Sequence, residues 1–117
     1  MHIEMLRDYC LAKNGVVETF PFGEETLVFK VAAKMFCLIG LDAASKCNLK
    51  CEPEKAIELR QRYSAVIPGF HMNKQHWNTI HFNQDLGDEL ILQLIDHSYQ
   101  LIVDKLPKKI RNELAIL

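Results

Sequence analysis

Two runs of β-forming residues, TLVFKV and KMFCLIGL, stand only two residues apart, separated by Ala32-Ala33. That spacing constrains the fold more than any other feature of the chain. A two-residue connection suits an antiparallel hairpin, whereas parallel strands need a crossover of about a dozen residues. The other segments must therefore assemble around a hairpin. Upstream, HIEMLRDYCLAK places Ile3, Leu6 and Cys10 on one helical face, and Asn14-Gly15 stops that helix. VVETF is a short β-branched run before the PFGEE turn, and SKCNLKC alternates well enough to add a further meander strand.

Helices dominate the second half of the chain. Glu52-Pro53-Glu54 opens one, because proline fits the first turn and the acids complement the dipole; its Ala56, Leu59 and Tyr63 point inward. Val66-Ile67-Pro68-Gly69 reads as the loop that ends it. Residues 74–82 read as a strand, with Trp77, Thr79 and His81 alternating against His76, Asn78, Ile80 and Phe82. A long helix is expected over 88–104, its stripe made by Leu90, Ile91, Leu94, Ile95, Ser98, Leu101 and Ile102. Leu106-Pro107 breaks it, and KKIRNELAIL forms a terminal helix. This order implies one α+β domain over residues 1–117, a twisted antiparallel sheet with helices packed on one face.

With 117 residues, 49% apolar and 25% charged, the chain is large enough for one hydrophobic core without metals or disulfides. No stretch approaches the ~20 apolar residues that span a bilayer, so no membrane partner is expected. The opening MHIEMLRDYC lacks the layout of an export signal. Cytoplasmic location and free thiols at Cys10, Cys37, Cys47 and Cys51 are therefore the expectation. Net charge is −1, but residues 30–76 carry eight basic groups against four acidic, between two acidic flanks. Such a middle permits a local positive patch, although scattered solvated lysines would look the same in sequence.

The densest chemistry is PGFHMNKQHWNTIHF, with three histidines, the only tryptophan and a lysine. Cys47-x3-Cys51 followed by His71-x4-His76 imitates a zinc site on paper. Nineteen residues containing a whole helix separate the two pairs, however, and no metal or other cofactor is expected. No GxSxG elbow, HExxH pair or phosphate-cradling glycine loop is present, so no catalytic residues are assigned and the chain is read as a non-enzyme. A Cys37–His dyad is the one nucleophilic arrangement left open, since such partners need only meet in space. Trp77 is expected in the core between sheet and helix. Asn73 and Asn78 have the chemistry to close the loop on backbone groups, and His76 reads equally as a hydrogen-bonded seam residue.

In order along the chain stand FPFGEETLVFKV, KMFCLI, LKCEPEKAIELR, PGFHMNKQHWNTI and LIDHSYQLIVDKLPKKIR. Nearly end to end, this series resembles the MmcQ/YjbR family of small bacterial proteins. The resemblance implies a frataxin-like (CyaY-like) α+β fold and DNA binding through a double-wing arrangement of strands and loops. Frataxin's acidic iron-binding helix is not matched, since the first helix here offers only Glu4 and Asp8. Cations and amides that meet phosphates are the chemistry DNA binding requires. The expected contacts are Lys30 and Lys34 at the hairpin, Asn73, Lys74 and His76 in the histidine-rich stretch, and Lys108, Lys109 and Arg111 opening the last helix. A second reading, from another class, is a protein-interaction adaptor or small chaperone using its sheet face or final amphipathic helix, which an exposed apolar patch near Phe70, Met72 and Leu117 would favour.

Overall fold

The computed structural model describes residues 1–117, and its elements arise from these local patterns. Helix α1 (Ile3–Leu11) buries Leu6 and Cys10 and is followed by a turn in which Gly15 takes φ +72°. Strands β1 (Val16–Thr19), β2 (Thr26–Val31), β3 (Lys34–Gly40) and β4 (Lys46–Lys50) form a meander. Helix α2 (Pro53–Arg62) leads to β5 (Val66–Pro68) and β6 (Trp77–His81), and helices α3 (Asp88–Asp104) and α4 (Lys108–Ala115) close the chain. All six strands form one antiparallel sheet in the order β1-β2-β3-β4-β6-β5, so the architecture is α+β.

The VIP segment expected as loop is the edge strand β5. It pairs Val66 with Ile80 and Pro68 with Asn78, and its proline is tolerated because an edge strand leaves one row of amides unpaired. The strand expected over 74–82 is shorter, because residues 73–76 turn on the Asn73 side chain before β6 begins at Trp77.

Register gives the sheet two distinguishable ends. Val16, Val31, Lys34, Lys50 and Trp77 lie at one, which we call the Lys34 end; Thr26, Gly40, Lys46 and His81 lie at the other, the Gly40 end. A bulge where Lys30 meets Met35 sets both Phe36 and Cys37 toward the helices. The backbone groups at that end are completed by Ser98, the one polar residue in the α3 stripe. Its hydroxyl donates to the Phe36 carbonyl at 2.6 Å and accepts from the Lys50 amide at 2.9 Å.

One face of the sheet carries most of the core. Leu27, Phe29, Val31, Ile39, Cys47, Leu49 and Ile80 pack there with Leu6, Leu59, Ile91, Leu94 and Ile95 of the helices. On the other face Val28, Leu38 and Trp77 form a small cluster with Met35 and Met72, and no helix covers it. Trp77 is therefore buried, at 9% exposure, but on the side of the sheet away from the helices rather than between sheet and helix. Its cover is the 69–76 loop. At Gly69 an added Cβ would stand 2.8 Å from Trp77 Cβ, so only glycine lets the loop pass this close.

Candidate functional site

Two features of this frame bear on function: the cations at the Lys34 end and a cleft on the uncovered sheet face. Lys30 and Lys34 flank the β2–β3 turn as expected. Lys105, which the sequence did not single out, caps α3 at the same end. Desolvation holds the Lys50 ammonium below its ordinary value, and Lys105 and then Lys34 push it further down. Those three amines are thus electrostatic neighbours although they come from β3, β4 and the end of α3. Helix α4 starts three residues beyond Lys105 and finishes where Asn14 donates to the Leu114 carbonyl at 3.0 Å and Leu114 packs on Gly15. It therefore crosses the Lys34 end, bringing exposed Lys108, Lys109 and Arg111 with it.

The 73–76 turn also sits at this end, but its side chains have inward work. Asn73 Oδ1 accepts from the Gln75 and His76 amides at 2.9 and 3.2 Å. Lys74 Nζ donates to the Gly69 carbonyl at 3.0 Å. The His76 carbonyl accepts from the Cys51 amide at 2.8 Å, while its imidazole is half-buried. The ion pairs of the chain are Met1 with Asp88, Arg7 with Glu18, and Lys13 with Asp96. Lys30, Lys34, Lys50, Lys105, Lys108, Lys109 and Arg111 take part in none of these, whereas Lys13, beside Val16, is already paired. Nearby, burial first and Lys55 second hold the His97 imidazole below its ordinary value.

At the Gly40 end, a cleft of about 540 Å³ opens on the uncovered face. Its floor is Thr26, Leu38 and Asn48, and its rim carries Phe22, Phe70 and His71. Phe22 and Phe70 are 63% and 53% exposed. The Phe70 backbone is fixed to the sheet at both sides: its amide donates to Thr79 Oγ1 at 2.9 Å, and its carbonyl accepts from Asn48 Nδ2 at 3.3 Å. The following His71 takes φ +58°, a region that residues other than glycine seldom adopt, and its ring lies 4.1 Å from that of Phe70. Lys46 Nζ stands 5.1 Å above the Phe70 ring.

The thiols lie elsewhere. Cys10, Cys37, Cys47 and Cys51 are all free and buried. Hydrogen bonding with Cys10 and Cys47, then burial, raises the Cys37 thiol well above its ordinary value; Cys51 is pushed up to about 11, mostly by burial. Thiols held protonated in this way are poor nucleophiles and poor metal ligands. The apparent zinc pattern gathers no group of three ligands: Cys47 and Cys51 are buried in the helix-side core, and His71, which lines the cleft with Cys47, is exposed.

This fold and sequence recur in other proteins. A Deinococcus radiodurans protein, DR2400, with the domain described as DUF419, superposes with a TM-score of 0.92 at 36% identity, covering 97% of this chain and 88% of its own. A Pseudomonas syringae protein superposes with a TM-score of 0.72 at 29% identity, covering 86% of this chain and 98% of its own. Escherichia coli K12 YjbR is 36% identical over the whole of both chains, and YbdF of Escherichia coli O157:H7 is 38% identical over 77% of this chain and 75% of its own. Both E. coli relatives are described as uncharacterized proteins. The family model described as YjbR matches residues 11–101, and with these relatives it establishes that the chain belongs to the YjbR family.

Proposed function

We propose that the protein binds DNA without acting on it chemically, meeting phosphates with the cations of the Lys34 end. The observation that supports this reading is the gathering of Lys34, Lys50 and Lys105 at one end of the sheet with no carboxylate partner. Amines crowded together and left without counter-charge favour an anion that bridges them, and a phosphate backbone is such an anion. Helix α4 extends the same basic end with Lys108, Lys109 and Arg111, while Lys30 lies beside the β2–β3 turn. Asn73 and Lys74 support the loop in this reading, and His76 is left as a contact at its edge.

Net charge −1 sets the expected strength. With about five phosphate contacts, the slope of log affinity against log salt for a single strand should be roughly −3.5. Replacing both Lys34 and Lys105 by alanine should weaken binding alike for all sequences and flatten that slope by roughly 1.4. Fluorescence anisotropy from low to physiological salt measures both quantities, and an unchanged slope would remove the Lys34 end from the reading. A second reading, a protein-interaction module on the uncovered face, is favoured by the exposed rings of Phe22 and Phe70.

A further inference from the structure

We propose that the cleft at the Gly40 end receives one unpaired nucleobase of the bound strand, with guanine preferred. The inference rests on the DNA-binding reading and assigns that function a strand preference, single over double.

The walls, the edge and the exit of the cleft each suit this occupant. Phe22 and Phe70 line the cleft with exposed rings, and any base offers a π-face to stack on such rings. The Phe70 backbone is held by the two bonds to Thr79 and Asn48, and a base stacking on its ring takes the place of the Lys46 ammonium above it. Two carboxylates, Glu25 and Asp42, line the cleft, and neither forms an ion pair. Asp42 Oδ1 accepts the neighbouring Ala43 amide at 3.0 Å, and the side chain has a second oxygen. A carboxylate takes two parallel donors, and guanine's Watson–Crick edge carries two side by side, a ring N–H and an amine. Thymine has only one ring N–H flanked by carbonyls, which a carboxylate repels.

Charge also orients the strand. Phosphates avoid the Glu25 and Asp42 side and must leave the cleft past Lys46, whose ammonium lies over the Phe70 ring. From Lys46, alternation along β4 leads through Asn48 to Lys50, about 13 Å away at roughly 3.3 Å per residue, and so to the basic end. A duplex keeps its bases stacked and cannot deliver one to the cleft without unpairing it.

The test uses the full chain with a labelled nine-nucleotide oligothymidine, and the same strand with one central guanine. The guanine strand should bind at least fivefold more tightly, and a duplex of the same sequence more weakly than either. Phe70→Ala and Phe22→Ala should each weaken single-strand binding about tenfold while leaving the salt slope in place. Both side chains are exposed and the Phe70 bonds are made by backbone, so these variants should melt like the parent. Asp42→Asn together with Glu25→Gln should abolish the guanine preference. Salt-dependent binding untouched by the aromatic variants, or equal for the two strands, would overturn the base site and leave phosphate binding standing. Failure of every oligonucleotide to bind at low salt would overturn both.

Discussion

Arg60 shows how residue type and residue role can part company. In the sequence it counts among the cations of the basic middle; in the fold its guanidinium is an internal brace. Arg60 Nε donates to Asn78 Oδ1 at 2.6 Å, and a second nitrogen reaches the carbonyls of Trp77, at 3.3 Å, and Lys74. Asn78 is buried at 1% exposure and passes the connection on, its amide donating to the Ala56 carbonyl at 3.4 Å. One forked side chain thus joins α2, β6 and the 69–76 loop. Arg60→Ala would leave the Asn78 oxygen buried without its donor, at a cost of about 2–3 kcal/mol for a charge-assisted bond. Urea denaturation should show this as a lower midpoint with an unchanged slope. Lysine should recover little, since a single ammonium cannot serve three acceptors in a plane. Stability within ~0.5 kcal/mol of the parent would mean that water replaces the guanidinium.

Among the elements, the β2–β3 turn is where spacing and residue choice disagree. Two residues between strands announce a hairpin, yet Ala32 and Ala33 take φ +48° and +65°, the region that favours glycine and asparagine. Their methyl groups cost roughly 1 kcal/mol each in that conformation. Ala32→Asn with Ala33→Gly should therefore raise the melting temperature by roughly 4 °C, and no gain in a calorimetric scan would show that the turn relaxes in solution. The hairpin, the α3 stripe and the Pro53 helix start were legible because period, spacing and capping act locally. β5 was not legible, because three residues carry no usable period and its pairing with β6 is settled by tertiary contact. The cation cluster was half legible for the same reason. Lys34 stood out beside a turn, but Lys105 and Lys50 join it only through the end of α3 and the β4 register. The cleft was legible only as an apolar patch at Phe70 and Met72, since Phe22 and Asp42 join them from separate loops.

For the molecule as a whole, the sheet's two unequal faces decide how it should come apart. The helix side buries a continuous core from Leu6 to Ile102, whereas the other side rests on Val28, Leu38 and Trp77 under a single loop. Cooperative stability should reside with the first, leaving the loop and its cover to open separately at lower free energy. The same asymmetry suits the proposed functions, because a surface meant to receive a ligand cannot also be covered by helices. Trp77 is the residue that joins the two faces, being buried against the open side while its neighbour Asn78 points to the helix side. Trp77→Ala should cost about 3 kcal/mol, the lower end for an aromatic truncation, because the loop over it can settle into the space. Amide exchange should then accelerate at Met72 and His76, whose bonds close the loop, far more than at Ile91 and Ile95 in α3. Equal acceleration at both sets would mean that the two faces unfold as one unit.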